Sequence, residues 1–362
     1  MSPCSAGTIA TCTVIVLTAL SVFITPPWAN AAQVRHPVLL KWSRNDPYYA
    51  SHSVGESSGF AGLTISDNGQ VGGSAGSFPA VWIAGRTVYL PLPAGADAGF
   101  VTGLDGMGHA VGQIRGRNVS LAVRWSMSRR RNSVSILRFP DHESGFVIGM
   151  NRSLTAVGFS VSPLGDHVIV WRGFVAHLLS TPDGCQSTAI SIDDEGDIVG
   201  TWQASGNSVR HPEDHPCVWD GSGRLRALPV ELSLDAMPIS SRGPNVIVGR
   251  FLTPDYRTLP FVLRDGAFAR LPLPLGYSEG SAVGVSANGA IVGRAYRTDK
   301  NGAESSIAVE WANSIPVDLN LISRLRSGEV LNRALAITAA GRILCRGHAG
   351  KRTITVVLYP QS

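Results

Sequence analysis

Residues 282–293 read AVGVSANGAIVG. Two short apolar runs flank the sequence Ala-Asn-Gly, and Asn and Gly readily adopt the positive φ angles of a tight hairpin turn. The segment therefore predicts a strand, a turn and a second strand that ends in a Val-Gly step.

Six further segments repeat this pattern along the chain. They are residues 62–72, 101–112, 147–158, 189–200, 236–249 and 334–345. Aligned on positions 71, 111, 157, 199, 248, 292 and 344, successive copies are separated by 40, 46, 42, 49, 44 and 52 residues. Periods of this size indicate a repeat architecture.

Each copy continues into a third apolar strand and a shorter fourth one. The third strand ends in Trp82, Trp125, Trp171, Trp219, Leu263, Trp311 or Leu358. The fourth ends in a Leu-Pro-like step, as at Leu90, Leu228 and Leu271. Four antiparallel strands form one propeller blade, so the seven copies predict an all-β fold, a β-propeller of seven four-stranded blades. An open β-solenoid or two smaller β domains are the alternatives.

The first 31 residues have the features of a secretory signal. They contain no charged side chain, an apolar run at 14–24 and the small-x-small sequence Ala-Asn-Ala at 29–31. The apolar run is too short to span a membrane, so we expect cleavage after Ala31 and a secreted or periplasmic protein. The region before the run lacks Lys and Arg, which leaves an uncleaved anchor or a misassigned start as alternatives.

Residues 32–362 then form a single propeller domain of about 47 residues per blade. The seventh copy stops before its fourth strand, and the apolar segment 37–42 is a candidate to supply that strand from the N-terminal side. Closure in this way removes the exposed sheet edges that promote aggregation. Of the three cysteines left after cleavage, Cys185 and Cys217 are the favoured disulfide pair because both lie in one repeat.

The repeat positions resemble those of the HAF-repeat family, which comprises bacterial extracellular repeat proteins. The family is named for a His-Ala-Phe step shortly before the repeat Trp, and single members of that step occur here at His167, His215, Ala122, Ala308 and Phe261. The Asn-Gly turn and the Val-Gly step match better. The resemblance implies a secreted, propeller-like fold and transfers no catalytic residue.

Two local clusters are candidate cation sites. Residues 210–217 read RHPEDHPC, and His211, Asp214 and His215 are possible metal ligands there. Asp193, Asp194 and Asp197 lie in an oxygen-rich, Gly-containing turn that could take calcium or another divalent cation, although the spacing of an EF-hand is missing. The alternative for both clusters is structural, namely blade packing for the first and a solvated hairpin turn for the second.

No catalytic residue is assigned, because neither a Gly-x-Ser-x-Gly elbow nor a phosphate-binding Gly loop occurs in the chain. The formal net charge of +5 is too small and dispersed to indicate nucleic acid. We expect a monomeric, exported, non-catalytic binding or scaffold propeller that recognises a glycan, a surface component or a protein partner. An extracellular hydrolase or lyase with carboxylates at the central channel is the alternative, and a purely structural or adhesive module is a third possibility.

Two features of the structure would discriminate these functions. Acidic residues from three or more blades at one mouth of the channel would favour the enzyme. A groove lined by exposed Tyr and Trp would favour glycan binding.

Overall fold

The structure is a computed structural model and describes residues 48–55, 59–117, 119–128, 131–140, 144–162, 165–204, 214–229, 235–243 and 245–361. The expected signal at 1–31 and the apolar segment 37–42 lie outside the described residues. No helix among the described residues is long and apolar enough to cross a membrane.

Seven antiparallel sheets follow one another along the chain. Blade one contains β2 (Phe60–Ile65), β3 (Val71–Ala75), β4 (Phe78–Ile83) and β5 (Arg86–Tyr89). Blade two contains β6 (Ala98–Leu104), β7 (His109–Gly116), β8 (Val119–Ser126) and β9 (Ser133–Ile136). Blade three contains β10 (Ser144–Met150), β11 (Thr155–Val161), β12 (His167–Arg172) and β13 (Val175–Leu178).

The same order of strands recurs in the second half of the chain. Blade four contains β14 (Cys185–Ile192), β15 (Ile198–Ala204), β16 (His215–Trp219) and β17 (Leu225–Ala227). Blade five contains β18 (Asp235–Ser241), β19 (Val246–Leu252), β20 (Thr258–Arg264) and β21 (Ala267–Arg270). Blade six contains β22 (Glu279–Val285), β23 (Ile291–Thr298), β24 (Glu304–Ala312) and β25 (Ile315–Asp318).

Blade seven combines both ends of the described chain. It contains β27 (Glu329–Ile337), β28 (Ile343–Ala349), β29 (Arg352–Pro360) and β1 (Tyr49–Ser53), with the two-residue β26 (Ser323–Arg324) on the outer edge after the short helix α1 (Leu319–Ile322). The strand β1 pairs antiparallel with β29 and parallel with β26. The fourth strand of this blade is thus β1, which follows the segment 37–42 that the sequence suggested for that position.

The sheets pack side by side into a closed ring. The first strands of successive blades contact one another, and the first strand of blade one contacts β27, β28 and β29 of blade seven. An apolar cluster that includes Trp82, Leu344 and Val357 fills this last junction. The prediction of a β-propeller with seven blades of four antiparallel strands is confirmed.

Every first strand carries a β-bulge at the same place, within three residues of its end. The register shifts occur between positions 62/64, 101/103, 147/149, 189/191, 238/240, 282/284 and 334/336. A bulge adds one unpaired residue, bends the strand and increases its twist. Because all seven strands line the axis, their bulges turn the chain in a common way just before each hairpin turn.

The strand register corrects the alignment of the first repeat by one residue. Val71 pairs with Trp82 in blade one, and Ala110 pairs with Trp125 in blade two. The residue equivalent to Val111 is therefore Gly72, and the glycine of the Val-Gly step in blade one is Gly73.

The glycine of the Val-Gly step is required by close packing. A Cβ atom on Gly112 would overlap the carbonyl oxygen of Phe100 and come within 2.9 Å of the Trp125 ring. Real Cβ atoms do not approach other heavy atoms this closely. The tryptophan ring of the third strand therefore requires a glycine at the facing position of the second strand.

Tryptophans at the end of four third strands connect blades two, three, four and six to the blade that precedes each of them. Each indole N–H donates to the backbone carbonyl of the residue after the preceding blade's fourth-strand Leu. The donor–acceptor distances are 2.8 Å from Trp125 to Pro91, 2.8 Å from Trp171 to Arg138, 3.0 Å from Trp219 to Ser180 and 2.6 Å from Trp311 to Pro272. All four indole side chains are fully buried. These residues therefore combine apolar burial with a directional bond between blades.

The ring closure contains a buried carboxyl group. Glu310 lies in β24 at a position that Val81, Val170 and the corresponding valines of blades four, five and seven occupy in the other sheets. Its Oε2 accepts a 3.2 Å hydrogen bond from the hydroxyl of Tyr49, which lies in the closing strand β1. Burial raises the pKa of Glu310 to about 7, and the Tyr49 bond opposes that rise.

The predicted Cys185–Cys217 disulfide is wrong. All three cysteines in the described part of the chain are buried free thiols. Cys185 lies on β14 opposite Ala204, and Cys217 lies on β16 opposite Gly200, so the whole of β15 separates them. Two strand spacings are about 10 Å, which exceeds the roughly 7 Å between Cα atoms that a disulfide can bridge.

Replacing Trp125 by Phe should lower the free energy of unfolding by about 1–2 kcal/mol, because the Pro91 carbonyl loses its donor and the ring loses volume. Trp202→Phe is the matched control, since the buried indole N–H of Trp202 has no partner among the described residues. Urea denaturation measures both variants. Equal losses in the two variants would show that the indole hydrogen bond contributes nothing.

Glu310→Gln should make stability less dependent on pH. The folded protein keeps the Glu310 proton between its usual pKa of 4.5 and about 7, whereas the unfolded chain releases it. Wild-type stability therefore falls as pH rises through this window, and a neutral Gln avoids the loss. We expect equal denaturation midpoints near pH 4.5 and an advantage of up to about 3 kcal/mol for the variant at pH 8. A difference that does not change with pH would contradict the assignment.

Candidate functional site

The turns between first and second strands surround one mouth of the central channel. We call this end of the ring the turn face and the opposite end the loop face. Most of these turns begin with a Ser, Thr, Asp or Asn whose side-chain oxygen accepts the backbone N–H four residues later. The distances are 3.2 Å for Ser66 and Gln70, 2.8 Å for Asp105 and His109, 3.1 Å for Asn151 and Thr155, 2.8 Å for Asp193 and Asp197, and 3.1 Å for Thr338 and Arg342.

These local bonds place small polar side chains around the mouth, because Asn, Asp, Ser and Thr favour turns by bonding to nearby backbone. Together they line a pocket of about 200 Å³, the turn-face basin. Every blade contributes to it. Its lining includes Ser66, Asp67, Asp105, Asn151, Arg152, Asp193, Asp194, Ser241, Arg242, Val285, Thr338 and Ala339.

Arg152 spans the basin between two carboxylates. Its guanidinium forms an ion pair with Asp67 through Nη2 and with Asp194 through Nε, the latter at 3.2 Å. The backbone N–H of Arg152 also donates to Asp194 at 3.2 Å, and Asp67 accepts the N–H of Ala339 at 2.8 Å. The bridge therefore joins blades one, three, four and seven. Half of the Arg152 side chain is exposed, so a ligand in the basin can reach the guanidinium.

Asp193 is a basin carboxyl whose pKa is raised. Burial raises its pKa to about 6, and the nearby Asp197 and Glu195 charges act in the same direction. Hydrogen bonds oppose the rise. Its Oδ2 accepts the Ser241 hydroxyl and the Gly243 N–H, both at 2.9 Å.

Asp105 is occupied by its own turn. Its Oδ1 accepts backbone N–H groups of Met107 and Gly108 at 2.8 and 3.1 Å, in addition to that of His109. Its Oδ2 lies 2.7 Å from Nδ1 of His109, and the residue is almost fully buried. This carboxylate stabilises the turn and has little capacity left for a ligand.

The two predicted cation sites differ in how far the structure describes them. His211 lies outside the described residues, while His215 stacks on Trp202 with ring centroids 4.1 Å apart. In the acidic turn, Asp193 and Asp194 line the basin, but Asp197 turns away and accepts the Gly221 N–H at 3.1 Å. The described part of the chain contains no group of three or more His, Cys, Asp or Glu side chains that could hold a metal ion. Both sites stay predictions.

Sequence reasoning missed two residues of the basin, Arg152 at its centre and Asp67. The two lie 85 positions apart, and only the closed ring brings them together. The available signal was the recurrent polar residue that opens the turns, which indicates that equivalent turns meet at one end of a propeller.

The fold defines the class of protein, a seven-bladed β-propeller, and the comparisons agree. The chain is similar in structure to an oligogalacturonate lyase of Vibrio parahaemolyticus, with a TM-score of 0.52, 10% identity and coverage of 83% of this chain and 89% of the lyase. At this identity the likeness shows the fold alone.

Two weaker structural matches are a sialidase of Trypanosoma rangeli and a puromycin-hydrolyzing peptidase of Mycobacterium tuberculosis. The first has a TM-score of 0.43 and 10% identity over 85% of this chain, and the second 0.42 and 13% over 69%. The chain spans 59% of the sialidase and 42% of the peptidase. No protein-family model matches the chain, and no curated protein matches it in sequence.

Arg152→Met should lower the free energy of unfolding by about 0.5–2 kcal/mol, because two carboxylates from different blades lose a shared counter-charge. The loss should shrink in high salt, which screens their repulsion. Denaturation at two salt concentrations measures it. Arg257→Met is the control, since Arg257 pairs with Asp255 within a single turn at 2.6 Å. A smaller loss for Arg152→Met than for the control would contradict the role of the bridge.

Proposed function

We propose that this protein is an exported, non-catalytic binding propeller that recognises the end of a neutral glycan in the turn-face basin. One observation carries the proposal: a half-exposed guanidinium is held between two carboxylates inside a small pocket to which six of the seven blades contribute polar side chains. Fixed arrays of planar charged groups suit sugar hydroxyls, which donate and accept hydrogen bonds at once.

The charge balance disfavours an anionic ligand. The lining contains four carboxyl groups, those of Asp67, Asp105, Asp193 and Asp194, against the two guanidinium groups of Arg152 and Arg242. An anion would meet this excess of carboxyl groups, whereas the hydroxyls of a neutral sugar can donate hydrogen bonds to their oxygens. The volume of about 200 Å³ lies below the roughly 300–1,000 Å³ of pockets that enclose drug-sized molecules. One terminal sugar ring is therefore the proposed occupant.

The discriminating features proposed from the sequence point in both directions. Carboxylates from blades one, two and four do line the basin, but Asp105 and Asp193 accept hydrogen bonds from turn residues, and Asp67 and Asp194 are paired with Arg152. No Tyr or Trp occurs among the described lining residues. Recognition would thus depend on hydrogen bonds and not on stacking.

Export and family remain part of the proposal. The apolar leader at 1–31 and the resemblance to HAF-repeat proteins support a secreted or periplasmic location. A closed ring whose blades end in short outer strands suits a protein that acts as a monomer outside the cytoplasm.

A hydrolase or lyase acting on an extracellular glycan is the second candidate, and Asp193 favours it. Burial raises its pKa to about 6, so it keeps its proton to a higher pH than a free aspartate, which suits a general acid. However, the Asp193 carboxyl accepts its three described hydrogen bonds from Asp197, Ser241 and Gly243 at the hairpin turns. These bonds give it a structural role, which favours the binding function.

The proposal is tested by thermal unfolding of the purified protein with a panel of neutral and acidic mono- and oligosaccharides. A ligand present at a hundredfold excess over its Kd should add about 2.7 kcal/mol to the free energy of unfolding. We expect a neutral sugar to raise the melting temperature of the wild type but not of Asp194→Asn. Asp255→Asn, which alters an exposed pair on the loop face, should respond like the wild type.

Two outcomes would oppose the proposal. A shift that Asp194→Asn retains in full would place the sugar elsewhere, and no shift with any sugar would favour a protein partner or a structural role. Release of reducing ends from a glycan, abolished by Asp193→Asn, would establish the enzymatic candidate instead.

A further inference from the structure

The positive charge of the chain is concentrated in blade seven. The whole sequence has 31 Lys and Arg against 26 Asp and Glu. Residues 330–362 contain five of these cations and no acidic residue, so the remainder of the chain is balanced at 26 against 26. The five are Arg333, Arg342, Arg346, Lys351 and Arg352. Arg342 donates to the Asp67 carbonyl at the turn face. Arg333 and Arg346 lie opposite each other in the middle of the blade, and Lys351 and Arg352 lie at its loop-face end.

A pocket opens at the loop face where blade seven meets blade one. It has a volume of about 250 Å³ and is separate from the turn-face basin. Val54, Phe60 and Ile354 form apolar walls, and Arg346 and Arg352 supply charge. Neither arginine forms an ion pair with any residue that the structure describes.

Arg346 differs from its equivalent in blade six. The strand registers place Arg346 opposite Thr355 and Arg294 opposite Ala308. Thr355 lies three residues before Leu358, and Ala308 lies three residues before Trp311, the equivalent position of blade six. Arg294 pairs with Glu304 at 3.3 Å. Among the described residues, the Arg346 side chain forms no ion pair and one hydrogen bond, from Nη2 to the Gly62 carbonyl at 3.2 Å. Its Nε is buried without a described partner.

The charge of Arg346 is held in an unfavourable setting. Burial lowers its pKa, and the positive charge of Arg333 acts in the same direction. A cation that is partly removed from water beside another cation gains most from an anion in the adjoining pocket. The lining residues that the structure describes include no carboxylate, and an anionic ligand would supply this charge.

We propose that this loop-face pocket binds an organic oxyanion, a carboxylate or a phosphate ester attached to an apolar body. Arg346 and Arg352 hold the oxyanion through charge-assisted hydrogen bonds, while the body lies against Val54, Phe60 and Ile354. This site is independent of the proposed sugar basin, because it lies on the opposite face and selects charge.

Saturation-transfer NMR on the full protein tests the site with four small probes. Benzoate and phenyl phosphate carry both the anion and the apolar ring, acetate carries only the anion, and benzyl alcohol carries only the ring. We expect both ring anions to bind with a Kd of about 1 mM or below, and acetate and benzyl alcohol to bind about tenfold more weakly. Salt should weaken the ring anions more than the alcohol. The ratio of benzoate to phenyl phosphate affinity then separates carboxylate from phosphate as the preferred chemistry.

Arg352→Gln should weaken benzoate and phenyl phosphate by about tenfold, since it removes one of two cations from an accessible rim. Arg86→Gln removes an exposed charge on blade one far from the pocket and should leave the affinities unchanged. Arg346→Lys keeps the charge but loses the planar fork, so it should weaken binding while preserving the fold. Its melting temperature verifies folding.

Three results would overturn the proposal: equal binding of benzyl alcohol and benzoate, equal affinities of Arg352→Gln and Arg86→Gln, or no saturation by any anion below roughly 50 mM. Failure here leaves the sugar basin untouched, because Asp194→Asn tests that basin with uncharged ligands.

Discussion

The indole N–H of a third-strand tryptophan reaches the carbonyl that follows the fourth strand of the blade before it. A four-stranded sheet can bury neither face alone, so each blade depends on its neighbour. The tryptophan supplies apolar area and a directional bond to the same junction. Its ring needs a glycine beneath it, as Gly112 shows under Trp125. The regular spacing of Trp and the Val-Gly step in the sequence therefore reflects one requirement, the packing of the indole ring against a glycine.

Ring closure converts seven local turns into one site. Most of the hairpin turns are stabilised within themselves by a short polar side chain, and the bulged first strands bring these turns to the axis. At the mouth, Arg152 holds Asp67 and Asp194 from other blades. At the other end of the ring, Arg346 and Arg352 lie beside the junction that the closing strand completes. Both pockets thus exist only in the closed ring.

Much of the fold was predictable because hairpin turns and strand periodicity are local. The repeat of Asn-Gly turns and Trp-ended strands gave seven blades, whereas the strand register of blade one needed the pairing of Val71 with Trp82. The site was much less predictable. No local motif marks Arg152, because its role depends on carboxylates that lie 85 and 42 positions away in the sequence. The Cys185–Cys217 proposal failed for a related reason, because shared membership of a repeat does not place two residues on adjacent strands.

Hydrogen–deuterium exchange tests most directly whether the turn-face basin is the ligand site. The neutral sugars would be pooled at about 10 mM each, a concentration that fills sites of millimolar affinity. The account predicts slower exchange in the turns of blades one, three and four together, at residues 66–70, 151–155 and 193–197, with the fourth strands unchanged. Protection confined to the loop face or to the outer strands would contradict it.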